Sequence, residues 1–101
     1  MGGLMGGKIA LIIDKKDNVA TVLNNIKKGD TIMLRGLNLD DQIISNDDIP
    51  RGHKIALINI NKGEYIIKYG EIIGMAIKDI KKGDYVHTHN IDSIRGKIEV
   101  S

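Results

Sequence analysis

The chain has 101 residues, with 15 Lys and Arg against 13 Asp and Glu for a net charge of +2, three Tyr, and no Cys, Phe or Trp. That makes one domain with a modest aliphatic core and excludes a disulfide framework or a thiolate metal site; mixed charges without aromatic platforms speak against nucleic-acid binding. No apolar run approaches the roughly 20 residues that span a bilayer, so no membrane partner is expected and the cytoplasm is the expected location.

Met1 to Gly7 is glycine-rich, lacks the basic and apolar regions of a signal peptide, and reads as a flexible leader. Residues 8–101 are expected to form the single domain. Lys8 to Ile13 is a strand, apolar on both faces and therefore central or covered. Asp14 to Asn18 is a polar turn. Val19, Val22, Leu23 and Ile26 recur at helical spacing, which predicts one short helix over 18–25, capped by Asp17 or Asn18.

A tight turn is then used four times. Ile26-Lys27-Lys28-Gly29 recurs as Ile49-Pro50-Arg51-Gly52, Ile60-Asn61-Lys62-Gly63 and Ile80-Lys81-Lys82-Gly83. The isoleucine is expected in the core, the polar pair at the apex, and the glycine at a positive φ. Pro50, with its φ already set, suits the first central position. The uneven spacings of 23, 11 and 20 residues mean one turn type reused, not a solenoid.

Between the turns, short strands are expected at 31–34, 54–58, 64–69, 71–77, 84–90 and 96–100, with bends or bulges at Gly70 and Gly74. The stretch 36–48 is polar and acidic and reads as an exposed excursion, with Ile43 and Ile44 partly covered. The fold class that follows is mainly β: compact, irregular, built of short strands and glycine turns.

The chemistry concentrates in Tyr85-Val86-His87-Thr88-His89-Asn90, which holds two of the three histidines. As a strand it places His87 and His89 on one face, roughly 7 Å apart at their α carbons, with Val86, Thr88 and Asn90 on the other. Imidazoles there suit metal ligation or proton transfer, or merely decorate a solvated edge. A divalent ion needs a third ligand, for which His53, Glu71 and Asp92 are available. Lys54, beside His53, has the reach to meet a carboxylate. Lys68-Tyr69-Gly70-Glu71 groups a cation, a phenol and a carboxylate, which suits an anion-handling loop and equally an ordinary turn. No nucleophile elbow, phosphate-cradling loop or dinucleotide fingerprint is present.

Four motifs in order resemble one family: Asp17 to Leu23, Gly52 to Leu57, Lys68 to Gly74, and Val86 to Asn90. Together they look like the small N-terminal SAF-type domain of the altronate/galactarate dehydratases, a family that includes sulfolactate dehydratase. The resemblance covers about residues 9–91. It implies a β-clip fold and a hydro-lyase that removes water from an aldonate or aldarate to give a 2-keto-3-deoxy acid, with a divalent metal, iron(II) ahead of manganese(II). Carried over by motif, His87 and His89 are metal ligands or acid–base groups, and Asn90 orients the substrate. His53, Lys54 and Glu71 rank behind them. Family enzymes carry a much larger second domain, so the chain resembles the small subunit of a split enzyme or an excised N-terminal domain, inactive without a large partner; a homo-oligomer stays open. The alternatives are a stand-alone β-clip module that binds a sugar acid, and an assembly module without chemistry.

Overall fold

The computed structural model describes residues 7–37 and 41–93. Residues 1–6 of the expected leader and the strand expected at 96–100 lie outside the described residues. Among the described residues there are nine strands and no helix. They are β1 (Lys8–Leu11), β2 (Val19–Val22), β3 (Thr31–Arg35), β4 (Asp41–Ile44), β5 (Lys54–Ala56), β6 (Tyr65–Lys68), β7 (Glu71–Ala76), β8 (Tyr85–Val86) and β9 (Ile91–Ser93). The fold is mainly β, as the residues and the β-clip resemblance predict. One sheet runs β4-β3-β1-β2-β5-β8 and the other β6-β7-β9. Only β1 and β3 pair in parallel; every other described strand pair is antiparallel.

The helix expected over 18–25 is not formed: its first half is β2. Register explains the misleading pattern. Val19 lies opposite Ala56 and Thr21 opposite Lys54, which lies opposite Val86. Ala20 lies opposite Ile55, which lies opposite Tyr85. The Val19, Ala56 and Val86 face packs with Ile60, Ile66, Ala76 and Ile80. The Ala20, Val22 and Ile55 face packs with Ala10, Ile26, Ile32, Ile43 and Ile49. A strand buried on both faces loses its period of two. Leu23, the third helical position, is exposed, and Ile26 belongs to the next turn. Neither Asp17 nor Asn18 caps a helix. The Asp17 carboxylate accepts from the amides of Asp14 and Gly70. Asn18 accepts from the Ile67 amide at 2.7 Å and donates to the Tyr65 carbonyl at 2.9 Å. Asp17 holds the tip of the β6–β7 hairpin, and Asn18 holds the length of β6.

The four Ile-x-x-Gly turns work in two interlocked pairs. Ile26 and Ile49 exchange both backbone hydrogen bonds, as do Ile60 and Ile80. All four isoleucines are buried, and the four glycines have φ between +88° and +94°. In each turn the residue after glycine donates its amide three residues back, to Lys27, Pro50, Asn61 or Lys81. Pro50 therefore occupies the first corner of its turn, not the first central position. In the other three turns the residue after glycine is acidic, and Asp30, Glu64 and Asp84 accept from the amides of Lys27, Asn61 and Lys81. Pro50 has no amide hydrogen to satisfy. His53 stands in the acidic position of that turn, and its ring is released for other contacts.

Two further expectations are revised. The stretch 36–48 contains β4, which pairs with β3 and buries Ile43 while leaving Ile44 exposed. The strand expected over 84–90 stops at Val86; residues 87–90 turn, and β9 begins at Ile91 in the other sheet. The β6–β7 hairpin turns at Tyr69 and Gly70, both at positive φ, and its register shifts between Ile66 and Ile67, opposite Gly74 and Ile72.

Candidate active site

The crossing from β8 to β9 is made by Asn90. Its side-chain oxygen accepts from the His87 amide at 2.9 Å and its side-chain nitrogen donates to the Tyr85 carbonyl at 2.8 Å. The backbone closes with the amides of Asn90 and Ile91 on the His87 carbonyl. An asparagine side chain that supplies local hydrogen bonds competes with continuation of a ladder. Asn90 is buried, and both polar atoms of its amide serve the turn. It holds the imidazoles in place rather than facing outward.

The turn gathers the rings differently from an alternating strand. His87 stacks on Tyr85, with centroids 5.6 Å apart and planes 10° apart. His89 packs against Tyr85 at 5.2 Å. His53 continues the β5–β8 register beyond Lys54 and Val86, so its ring meets His87 at a centroid distance of 4.6 Å. Its Nδ1 lies 2.7 Å from the Tyr85 hydroxyl. All three histidines thus surround one phenol. Tyr85 is the member of this group that sequence reasoning passed over. The available signal was Pro50, which frees residue 53, together with a tyrosine two positions before His87.

The site is electropositive. The His87 pKa lies below its ordinary value of 6.5, first through burial and then through the charges of His53, Lys54 and His89. The Lys54 ammonium, half-buried, has its pKa lowered by burial and by the charge of Lys68. Lys54 opens β5 directly after His53 and so faces the other side of the sheet, beside Thr21 and Val86. Glu71 is exposed at the start of β7, opposite Lys68. Among the described residues no hydrogen bond or ion pair joins it to the imidazoles.

A pH dependence follows. Below 6.5 the unfolded chain binds more protons at residue 87 than the folded chain does, so stability at this position is lost as pH falls through that range. Proton NMR of the ring should place the His87 midpoint below 6.5, and urea melts should shift to lower midpoints on acidification. A His87 midpoint above 6.5 would contradict the electrostatic picture.

Two imidazoles are brought together with a third, as a metal or proton-transfer site needs. Among the described residues, however, no group of three or more His, Asp or Glu is arranged to hold an ion. The donor set fits neutral imidazole ligation in part and is not a complete ligand shell.

Comparison with known proteins decides the family. The model of the altronate/galactarate dehydratase SAF domain matches residues 8–94. This chain belongs to that SAF-domain family. The SAF domain is 44% identical over 78 residues to altronate dehydratase of Bacillus subtilis (strain 168), covering 77% of this chain and 15% of that enzyme. It is 37% identical over 70 residues to galactarate dehydratase (L-threo-forming) of Escherichia coli (strain K12), covering 69% of this chain and 12% of the relative. A third relative, (2R)-sulfolactate sulfo-lyase subunit alpha of Chromohalobacter salexigens, is 33% identical over 90 residues, covering 84% of this chain and 94% of the subunit. The chain thus spans about a seventh of the altronate dehydratase and nearly the whole of the sulfo-lyase subunit. These relatives are named as dehydratases and as a sulfo-lyase subunit. No helix among its described residues is long and apolar enough to cross a membrane.

Proposed function

We propose that this SAF domain is the small partner in a lyase that eliminates water from a hydroxy-acid, of the altronate or galactarate type. The observation that carries the reading is the imidazole cluster around Tyr85, with His87 disposed to be neutral at neutral pH. Elimination requires a base for a weakly acidic proton next to a carboxylate, and an acid for the departing hydroxyl. A neutral imidazole accepts the proton; a neighbouring imidazole or the phenol returns one. His87 is assigned the base or ligand role, and His89, at the exposed tip of the turn, the second. His53 and Tyr85 orient the pair. Lys54 supplies positive charge beside it, and Glu71 stands apart.

Iron(II), or manganese(II) in its place, would add Lewis-acid stabilisation of developing negative charge on the substrate. His87 and His89 would offer imidazole nitrogens to it, and the remaining ligands would come from a larger partner or from the substrate. A relative that is itself a separate subunit supports the two-part assembly. That relative is called a sulfo-lyase, so the leaving group of this enzyme is open between hydroxide and sulfite.

Altronate, galactarate and (2R)-sulfolactate should be assayed with the isolated chain, and with the chain plus its large partner and iron(II). Turnover is expected only in the second arm. Turnover by the isolated chain would overturn the two-part reading, and silence in both arms would overturn the lyase assignment.

A further inference from the structure

The face of β5 opposite His53 carries a second group of polar side chains. Lys54 stands beside Thr21 in the β2–β5 register. The Thr21 hydroxyl lies 3.3 Å from the Tyr69 hydroxyl. The Lys68 ammonium sits 4.9 Å from the centre of the Tyr69 ring. Lys54 and Lys68, from different sheets, thus flank the Thr21–Tyr69 hydroxyl pair, and each lysine side chain is half-buried. Among the described residues the ion pair is Lys8 with Asp30, and no carboxylate pairs with Lys54 or Lys68. Burial first, and then the charge of Lys68, lower the Lys54 pKa, and an anion beside the two ammonium groups would relieve both effects.

The loop that presents Lys68 and Tyr69 is built, not incidental. Tyr69 is held at a φ of +56°, a conformation that costs a non-glycine residue on the order of 1 kcal/mol. Asp17 holds the next amide, that of Gly70, at 2.8 Å, and Asn18 grips β6 by two backbone hydrogen bonds. One side-chain hydrogen bond at the tip and two along β6 hold the hairpin in place, with the phenol beside the Thr21 hydroxyl.

We propose that Lys54, Lys68, Thr21 and Tyr69 form a subsite for the carboxylate of a hydroxy-acid ligand. The ammonium groups neutralise the carboxylate, and the two hydroxyls donate to its oxygens. The assignment deepens the lyase reading and rests on it for the ligand class, since every hydroxy-acid of that class carries a carboxylate. Lys54 faces away from the imidazoles across the sheet, and its charge still acts on His87, so anion binding here would be felt at that ring.

The test uses the full chain labelled with 15N, with D-galactonate as probe and galactitol, the uncharged polyol, as control. Galactonate should move the Lys54 side-chain resonance and raise its titration midpoint toward the ordinary lysine value; galactitol should do neither. Lys54→Gln and Lys68→Gln should each weaken galactonate binding about tenfold, the equivalent of roughly 1.4 kcal/mol. Lys68→Gln keeps the test decisive if Lys54→Gln fails to fold. Inorganic sulfate binding as tightly as galactonate would overturn the carboxylate assignment. Unchanged Lys54 resonances, or unchanged affinity in a folded Lys→Gln variant, would overturn the subsite. Galactonate binding here without turnover in the complex would leave the subsite standing and remove the lyase reading alone.

Discussion

His87→Asn should lower turnover of the assembled enzyme by a factor of about 100 to 10,000, the range contributed by a positioned acid–base group, while the melting temperature stays near that of the native chain. Asparagine keeps a polar side chain of moderate size at the head of the turn. The backbone amide of residue 87 still donates to Asn90, so the crossing between the sheets survives. What disappears is a neutral imidazole stacked on Tyr85 and next to His53. His89→Asn should show a smaller loss, because His89 is exposed and meets Tyr85 alone among the ring contacts. Steady-state kinetics of each variant with its large partner reads the effect. A His87→Asn enzyme within tenfold of native kcat would remove this residue from the chemistry, and a raised KM at unchanged kcat would assign it to substrate affinity.

Ile80→Ala should cost about 2–5 kcal/mol of stability, the range for a buried isoleucine cut back to alanine. The side chain of Ile80 is 2% exposed and its backbone exchanges two hydrogen bonds with Ile60, at 2.7 and 2.8 Å. The cavity would open between the paired turns that close the smaller core. For a domain of this length each 1 kcal/mol moves the melting temperature by roughly 4–8 °C, so a drop on the order of 10 °C or more is expected. Ile77→Ala, three residues earlier and 45% exposed, should stay within about 0.5 kcal/mol. Thermal and urea melts of the two variants supply the comparison. Equal melting temperatures would show that the interlocked turns are not where the fold is held.

Much of the β architecture was readable from residues alone. The Ile-x-x-Gly turns declare themselves because glycine is required at positive φ and isoleucine has nowhere to go but inward. Their number, their burial and the strands between them follow from local rules. What local rules do not contain is pairing. Nothing in the spacing says that the turn at Ile26 interlocks with the one at Ile49, or that at Ile60 with that at Ile80. Nor does it say that β2 is covered on both faces, and a strand so covered imitates a helix in its apolar spacing. β4 was hidden for the related reason that an edge strand with one buried residue, Ile43, reads as loop.

The same division runs through the site. Its histidines were visible as residues, and four ordered motifs pointed to the family. That His87 and His89 sit on a turn around Tyr85, not on a strand, depends on Asn90 closing that turn so that the chain can leave one sheet for the other. That His53 joins them depends on Pro50, whose missing amide leaves residue 53 without a capping duty, and on β5 lying beside β8. By itself the sequence determined the fold class, the turn chemistry and the residues able to do chemistry, since those are properties of single residues and their near neighbours. Only the tertiary structure decided which of them face one another, because strand register and sheet crossing are set by contacts between segments tens of residues apart.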